Sequence, residues 1–184
     1  SDSPPPLFPL ELGSEWRYQI IEVDEAGKAI RKRAGTSQVV GVHIISGKRW
    51  FSVFEMGYGF WVRNTAEGLE EADIQLDEDT MQLKASSPRI FFKYPAKENE
   101  TYVVDPEFDE QKMVVKSVER KVTVPAGEFN CVVYELMEGD NLSSRFYVVP
   151  GTGLIKFYQS AYLTESGNAE VIEMTGFTRP MANE

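Results

Sequence analysis

The chain has 184 residues, 42% hydrophobic and 26% charged, the balance of a folded globular protein rather than a disordered one. A formal net charge of -10 repels phosphate backbones and anionic bilayer surfaces, which excludes nucleic acid as a general partner. No run approaches the ~20 apolar residues of a membrane-spanning helix, and a single cysteine, Cys131, rules out an intramolecular disulfide.

Residues 1–7, with Pro4-Pro5-Pro6, read as an N-terminal tether, since consecutive prolines stiffen a chain without folding it. The first strand is expected over Glu15 to Val23, after a turn at Gly13, and Asp24 to Gly27 turns the chain into a long β-branched segment, Ile30 to Ile45. Ser46-Gly47 closes a second hairpin leading into Lys48 to Met56, and Phe60-Trp61-Val62 is a short apolar strand. The acidic stretch Glu67 to Asp79 reads as a solvated hairpin or loop face, and Lys28, Arg31, Lys32 and Arg33 as edge-strand charges that prevent aggregation. Val124-Pro125-Ala126-Gly127 fits a three-residue hairpin loop, Pro150 to Gly153 punctuates before Leu154 to Phe157, and the last strand is about Glu170 to Phe177. Helix is scarce; only Leu69 to Leu76 or Pro106 to Gln111 has the material for one short turn.

The chain repeats itself weakly. Phe8, Pro9, Gly13 and Trp16 align with Tyr94, Pro95, Asn99 and Tyr102, and glycine and asparagine are the residues most at ease at positive φ. Gly47 to Met56 aligns with Gly127 to Leu136, ending Val-Phe-Glu-Met and Val-Tyr-Glu-Leu, and Phe60-Trp61-Val62 with Phe146-Tyr147-Val148. We therefore expect an all-β fold: an antiparallel meander with internal duplication, forming a curved sheet, half-barrel or partly open barrel. One domain, 8–178, would contain two pseudo-repeats, 8–89 and 90–178, followed by a tail, 179–184.

Catalytic and metal chemistry find little purchase. His43 is the only histidine, and Cys131 sits in an apolar run that suits a buried thiol. Asp105 to Glu110 is acidic but lacks the glycine and spacing of a calcium loop. No catalytic residue, metal ligand or cofactor motif is assigned. Aromatics retained in both halves serve the shared fold; those that differ are candidate ligand contacts. We take Trp50, Tyr58, Phe91 and Phe92, together with Trp61 although it is aromatic in both halves, as candidate ligand-binding residues, with Phe157 and Tyr158 adding apolar surface.

Three motifs carry a resemblance: P-L-x-x-G-x-x-W at Pro9 to Trp16, V-x-V-P-A-G-x-F-x-C at Val122 to Cys131, and P-G-x-G-L-x-K at Pro150 to Lys156. With these the chain resembles uncharacterised bacterial extracytoplasmic proteins and putative lipoproteins. The resemblance implies a β-rich domain similar in outline to the half-barrels of periplasmic lipoprotein carriers, exported and then secreted, periplasmic or envelope-anchored. Gly13-Ser14-Glu15-Trp16 is also similar to a lipocalin opening, but one extra residue reverses the face of the tryptophan. The expected function is non-catalytic: a binding module for a lipid, peptide or other apolar molecule. The alternatives are an assembly domain pairing through a sheet edge and a carboxylate-based hydrolase.

Overall fold

Alternating apolar and polar residues between turn-forming pairs give twelve strands in the computed structural model, which describes residues 5–108 and 110–181. Residues 1–4 of the expected tether, 182–184 of the tail and Asp109 of the acidic loop lie outside the described residues. The strands are β1 (Glu15–Val23), β2 (Ala29–Ile45), β3 (Lys48–Glu55), β4 (Tyr58–Thr65), β5 (Gly68–Asp77) and β6 (Gln82–Lys93) in the first half. The second half holds β7 (Thr101–Val103), β8 (Gln111–Val124), β9 (Gly127–Glu138), β10 (Asn141–Val149), β11 (Gly153–Gln159) and β12 (Ala169–Thr178). Of the two stretches read as helix-capable, Leu69 to Leu76 is part of β5, and in the other the described residues Pro106 to Phe108 carry no helix while Gln111 opens β8; the one helical turn among the described residues is 3-10, at Ala161–Leu163.

All twelve strands form one antiparallel sheet in the order β6-β5-β4-β3-β2-β1-β12-β11-β10-β9-β8-β7. Each strand pairs with its sequence neighbour except at the β6-to-β7 step, and β1 joins β12 instead. The order dictates the shape. Laid flat, twelve strands would span ~50 Å, yet β6 and β7, at opposite edges, are joined through residues 94–100 alone, a connection that reaches ~25 Å at most. The sheet must therefore curl until its edges meet. It is not closed into a barrel by backbone pairing, and tyrosines bridge the seam instead. The Tyr102 hydroxyl accepts from the Lys93 N–H at 2.9 Å and donates to the Phe91 carbonyl at 2.8 Å, while Tyr134 donates to the Lys93 carbonyl at 2.7 Å. A Lys93–Glu100 ion pair lies beside them.

Local chemistry sets the register. Ser46 and Gly47 (φ 51 and 73) and Met56 and Gly57 (φ 45 and 97) are two-residue turns with both residues left-handed, the geometry that matches strand twist. The β8–β9 loop has two residues rather than three, since Val124 pairs directly with Gly127. The packed domain also begins earlier than residue 8: Leu7 is buried, and the Pro6 carbonyl accepts from Gly151 N–H at 2.8 Å, anchoring the last residues of the expected tether.

The starts of the two halves share a bonding pattern. Gly13 and Asn99 have φ of 90 and 64. Gly13 N–H donates to the Val39 carbonyl and Val39 N–H to that of Ser14; likewise Asn99 donates to Val115 and Val115 to Glu100. These matched bonds support a duplicated six-plus-six plan, which we propose with its boundary in the 94–100 connection. Between Val39 and Val115 as equivalents, Val53 corresponds to Tyr134, because these are their partners on β3 and β9. Phe54, aligned with Tyr134 by sequence, faces the other way and is 52% exposed, whereas Tyr134 is fully buried.

Most buried side chains form one cluster, inside the curl, built around Trp16, Tyr18, Phe92, Tyr134, Phe146 and Ile172. A second, smaller cluster of Ile45, Trp50 and Ala72, with Trp61, Ile74 and Ala85 against it, occupies the other face of the first half.

Candidate functional site

Alternation along β1 puts Trp16, Tyr18, Ile20 and Glu22 on the inner face. Opposite them β2 presents Ser37, Gly35, Arg33 and Arg31, and β12 presents Ile172 and Glu170 beside Ile20 and Glu22. These rows form part of a groove of about 880 Å³ along the inside of the curl. Its floor is aromatic: Phe92 and Phe146 meet edge-to-face at 5.1 Å, and Phe146 stacks on Phe157 at 4.9 Å. Val53, Phe60, Val62 and Leu69 extend the apolar lining along β3, β4 and β5. Leu163 and Thr164 to Ser166, at and after the 3-10 turn, stand at the mouth.

Two carboxyls interrupt this apolar wall. Glu55 follows Val53 in the same inward phase of β3, directly opposite Ser37 of β2. Burial pushes its carboxyl up to about 7, Glu71 nearby adds to the rise, and the Ser37 hydroxyl moderates it by donating a hydrogen bond. Glu71 follows Leu69 in the inward phase of β5; burial raises it too, opposed by Arg89, whose guanidinium approaches to 3.7 Å. Tyr18 is held neutral by burial, its hydroxyl donating to the Leu154 carbonyl at 2.8 Å. Further along, Arg33 pairs with Glu170 at 2.8 Å, and the Asn168 side-chain amide donates to Glu22 at 2.7 Å.

Of the five aromatics singled out in the sequence, the groove gathers three. Phe92 lies in its floor, Phe91 in its wall, and Tyr58 at its exposed rim, with Phe157 beside them. Trp50 and Trp61 lie elsewhere, packed in the second cluster. Trp50 is buried under the Arg63 guanidinium, 5.5 Å from its ring centre, and Arg63 is in turn forked onto Glu70. Trp61 meets the His43 ring edge-on at 5.0 Å. The reason is phase: Trp50 and Trp61 each adjoin residues of the inner face, Phe51 and Val62, so strand alternation points them to the other side.

The acidic stretch is not uniformly solvated either, since Glu71 lines the groove. The basic run behaves as edge charge only in part. Residues 29–36 of β2 pair with β1 but not with β3, yet Arg31 and Arg33 turn into the groove. Sequence reasoning missed Glu22 and Glu55, and reached Glu71 only as part of the acidic segment Glu67 to Asp79, where the two halves differ. Their signal was present as carboxylates occupying the apolar phase of a strand. Cys131 is fully buried, and burial raises its thiol to about 12, so it is no nucleophile at neutral pH.

No protein-family model matches the sequence, and no curated protein matches it. Solved structures do. A putative exported protein with a YmcC-like fold from Bacteroides fragilis aligns with a TM-score of 0.50 at 9% identity over 95% of this chain and 100% of that one. A putative lipoprotein from Parabacteroides distasonis aligns at 0.49 and 12% identity over 96% and 100%. A putative outer membrane lipoprotein-sorting protein domain from Vibrio parahaemolyticus aligns at 0.26 and 10% identity over 94% and 87%. The Bacteroides fragilis likeness shows a shared fold. Within the described residues no helix is long and apolar enough to cross a membrane.

Proposed function

We propose that the chain is a non-catalytic binding domain that holds an apolar ligand, with a lipid chain the simplest occupant, in the groove inside its curled sheet. The observation that carries this is the groove itself: about 880 Å³, within the range of ligand sites, with Phe92, Phe146 and Phe157 in its floor. The seam of the curled sheet, not closed by strand pairing among the described residues, leaves such a space, its lining mostly apolar with several carboxyls and two guanidiniums among the hydrophobic side chains. The fold shared with a putative exported protein from Bacteroides fragilis supports an extracytoplasmic setting for this reading.

The test is a fluorescence titration with N-phenyl-1-naphthylamine, an uncharged apolar probe. The wild-type chain binds it, and Phe60→Glu and Phe157→Glu, each placing a charge in the groove wall, weaken binding by about ten-fold or more. Equal binding by correctly folded variants would remove the groove from consideration.

One observation favours a second reading, a carboxylate-based hydrolase: two acids with raised pKa values stand in one cleft, as general acid–base work requires. A Ser-His-Asp arrangement is not available to it, because the sole histidine lies against Trp61 in the second cluster. Turnover of nitrophenyl glycosides or esters that disappears in Glu55→Gln would establish this reading over simple binding.

A further inference from the structure

The ionisable lining of the groove is unbalanced. Five carboxylates face it, Glu22, Glu55, Glu71, Glu165 and Glu170, against two guanidiniums, Arg31 and Arg33. Arg33 is committed to Glu170, and Arg89, which offsets Glu71, is not among the groove's lining residues. Among the described residues Glu55 has no ion-pair partner. The groups that face it are the Tyr18 hydroxyl from β1, the Ser37 hydroxyl from β2 and the Glu71 carboxyl from β5. Behind Glu71 stand Arg89, Asp73 and Asp105, two acids to one base.

A neutral hydrocarbon filling the groove would strip the remaining water from Glu55 and supply nothing in return, leaving the carboxyl to take up a proton. A carboxylate or phosphate head would bring a like charge to the pair. An ammonium answers both problems, since it replaces the lost water with charge-assisted hydrogen bonds.

Resting on the reading of the groove as a ligand site, we propose that its ligand is an amphipathic molecule with a basic nitrogen, its ammonium seated at Glu55 with Glu71 behind and its hydrocarbon part along the phenylalanine floor. The polar and apolar parts of the lining then serve one molecule.

The test uses three probes with one chain length, dodecylammonium, dodecanol and dodecanoate, each below its micellar concentration, titrated calorimetrically into the full chain. Near pH 8 dodecylammonium binds about ten-fold tighter than dodecanol, the worth of one charge-assisted contact, and dodecanoate binds weakest. Near pH 5 the ammonium preference shrinks as Glu55 takes up its proton. Glu55→Gln brings the ammonium down to the affinity of the alcohol, and Glu71→Gln narrows the gap partway. Dodecanol or dodecanoate binding as tightly as the ammonium near pH 8, or a preference that survives Glu55→Gln, overturns the inference while leaving groove binding intact. Failure of all three probes overturns both.

Discussion

Glu55→Gln isolates the cost of keeping a carboxylate in an apolar wall. The folded protein holds this carboxyl at about 7 against an ordinary 4.5, chiefly through burial. A raised carboxyl destabilises the fold when ionised: the native state binds more protons than the unfolded chain between the two values, so stability falls as pH rises through that window. The full difference corresponds to about 3 kcal/mol, trimmed to about 2 by water reaching the group through the groove. Glutamine keeps the shape and the ability to accept from Ser37 without the charge. Urea unfolding near pH 4.5 should therefore find wild type and variant within a few tenths of a kcal/mol of each other, and near pH 8 the variant should be more stable by about 2 kcal/mol. A difference that does not change with pH, or a variant less stable than wild type near pH 8, would refute the reasoning.

Further outcomes follow from other parts of the fold. Tyr102→Phe leaves the Phe91 carbonyl and the Lys93 N–H without their shared hydroxyl, which costs about 1–3 kcal/mol and accelerates hydrogen exchange at Lys93; unchanged exchange would mean the seam does not depend on this residue. Gly68→Ala puts a methyl 2.0 Å from the Phe92 carbonyl oxygen at a φ of 127, so we expect a loss of more than about 3 kcal/mol or failure to fold, read by thermal unfolding. Cys131 should resist thiol-specific reagents in the native protein and react only once unfolded; rapid native labelling would contradict its burial. Trp61→Ala should cost about 2–4 kcal/mol of stability by opening the second cluster, yet leave binding of N-phenyl-1-naphthylamine unchanged.

The fold was largely legible because turns and alternation are local. Asp24 to Gly27, Ser46-Gly47 and Pro125-Ala126 mark chain reversals without reference to anything distant, and the aligned pair Gly13 and Asn99 adopts the positive φ that their residue types suggest. Pairing of β1 with β12 was less accessible, since nothing local joins strands so far apart in sequence. For the site, alternation shows that Trp50 and Phe51 face opposite ways but not which of them faces the concavity. With two apolar phases available on β3 and β4, the large tryptophans drew attention to what proves to be the second cluster. Glu55 went unremarked because carboxylates are common, and its significance depends on Val53 belonging to the inner face.

The central claim, that the groove inside the curl is the ligand site, is tested most directly by the indole N–H resonances of the three tryptophans. Trp16 lines the groove, its indole donating to the Thr152 carbonyl at 2.6 Å, whereas Trp50 and Trp61 sit in the cluster on the other face. Titrating the labelled protein with N-phenyl-1-naphthylamine should shift the Trp16 indole signal and leave those of Trp50 and Trp61 in place. Movement of Trp50 or Trp61 with Trp16 unaffected would contradict the claim and return the site to the second cluster.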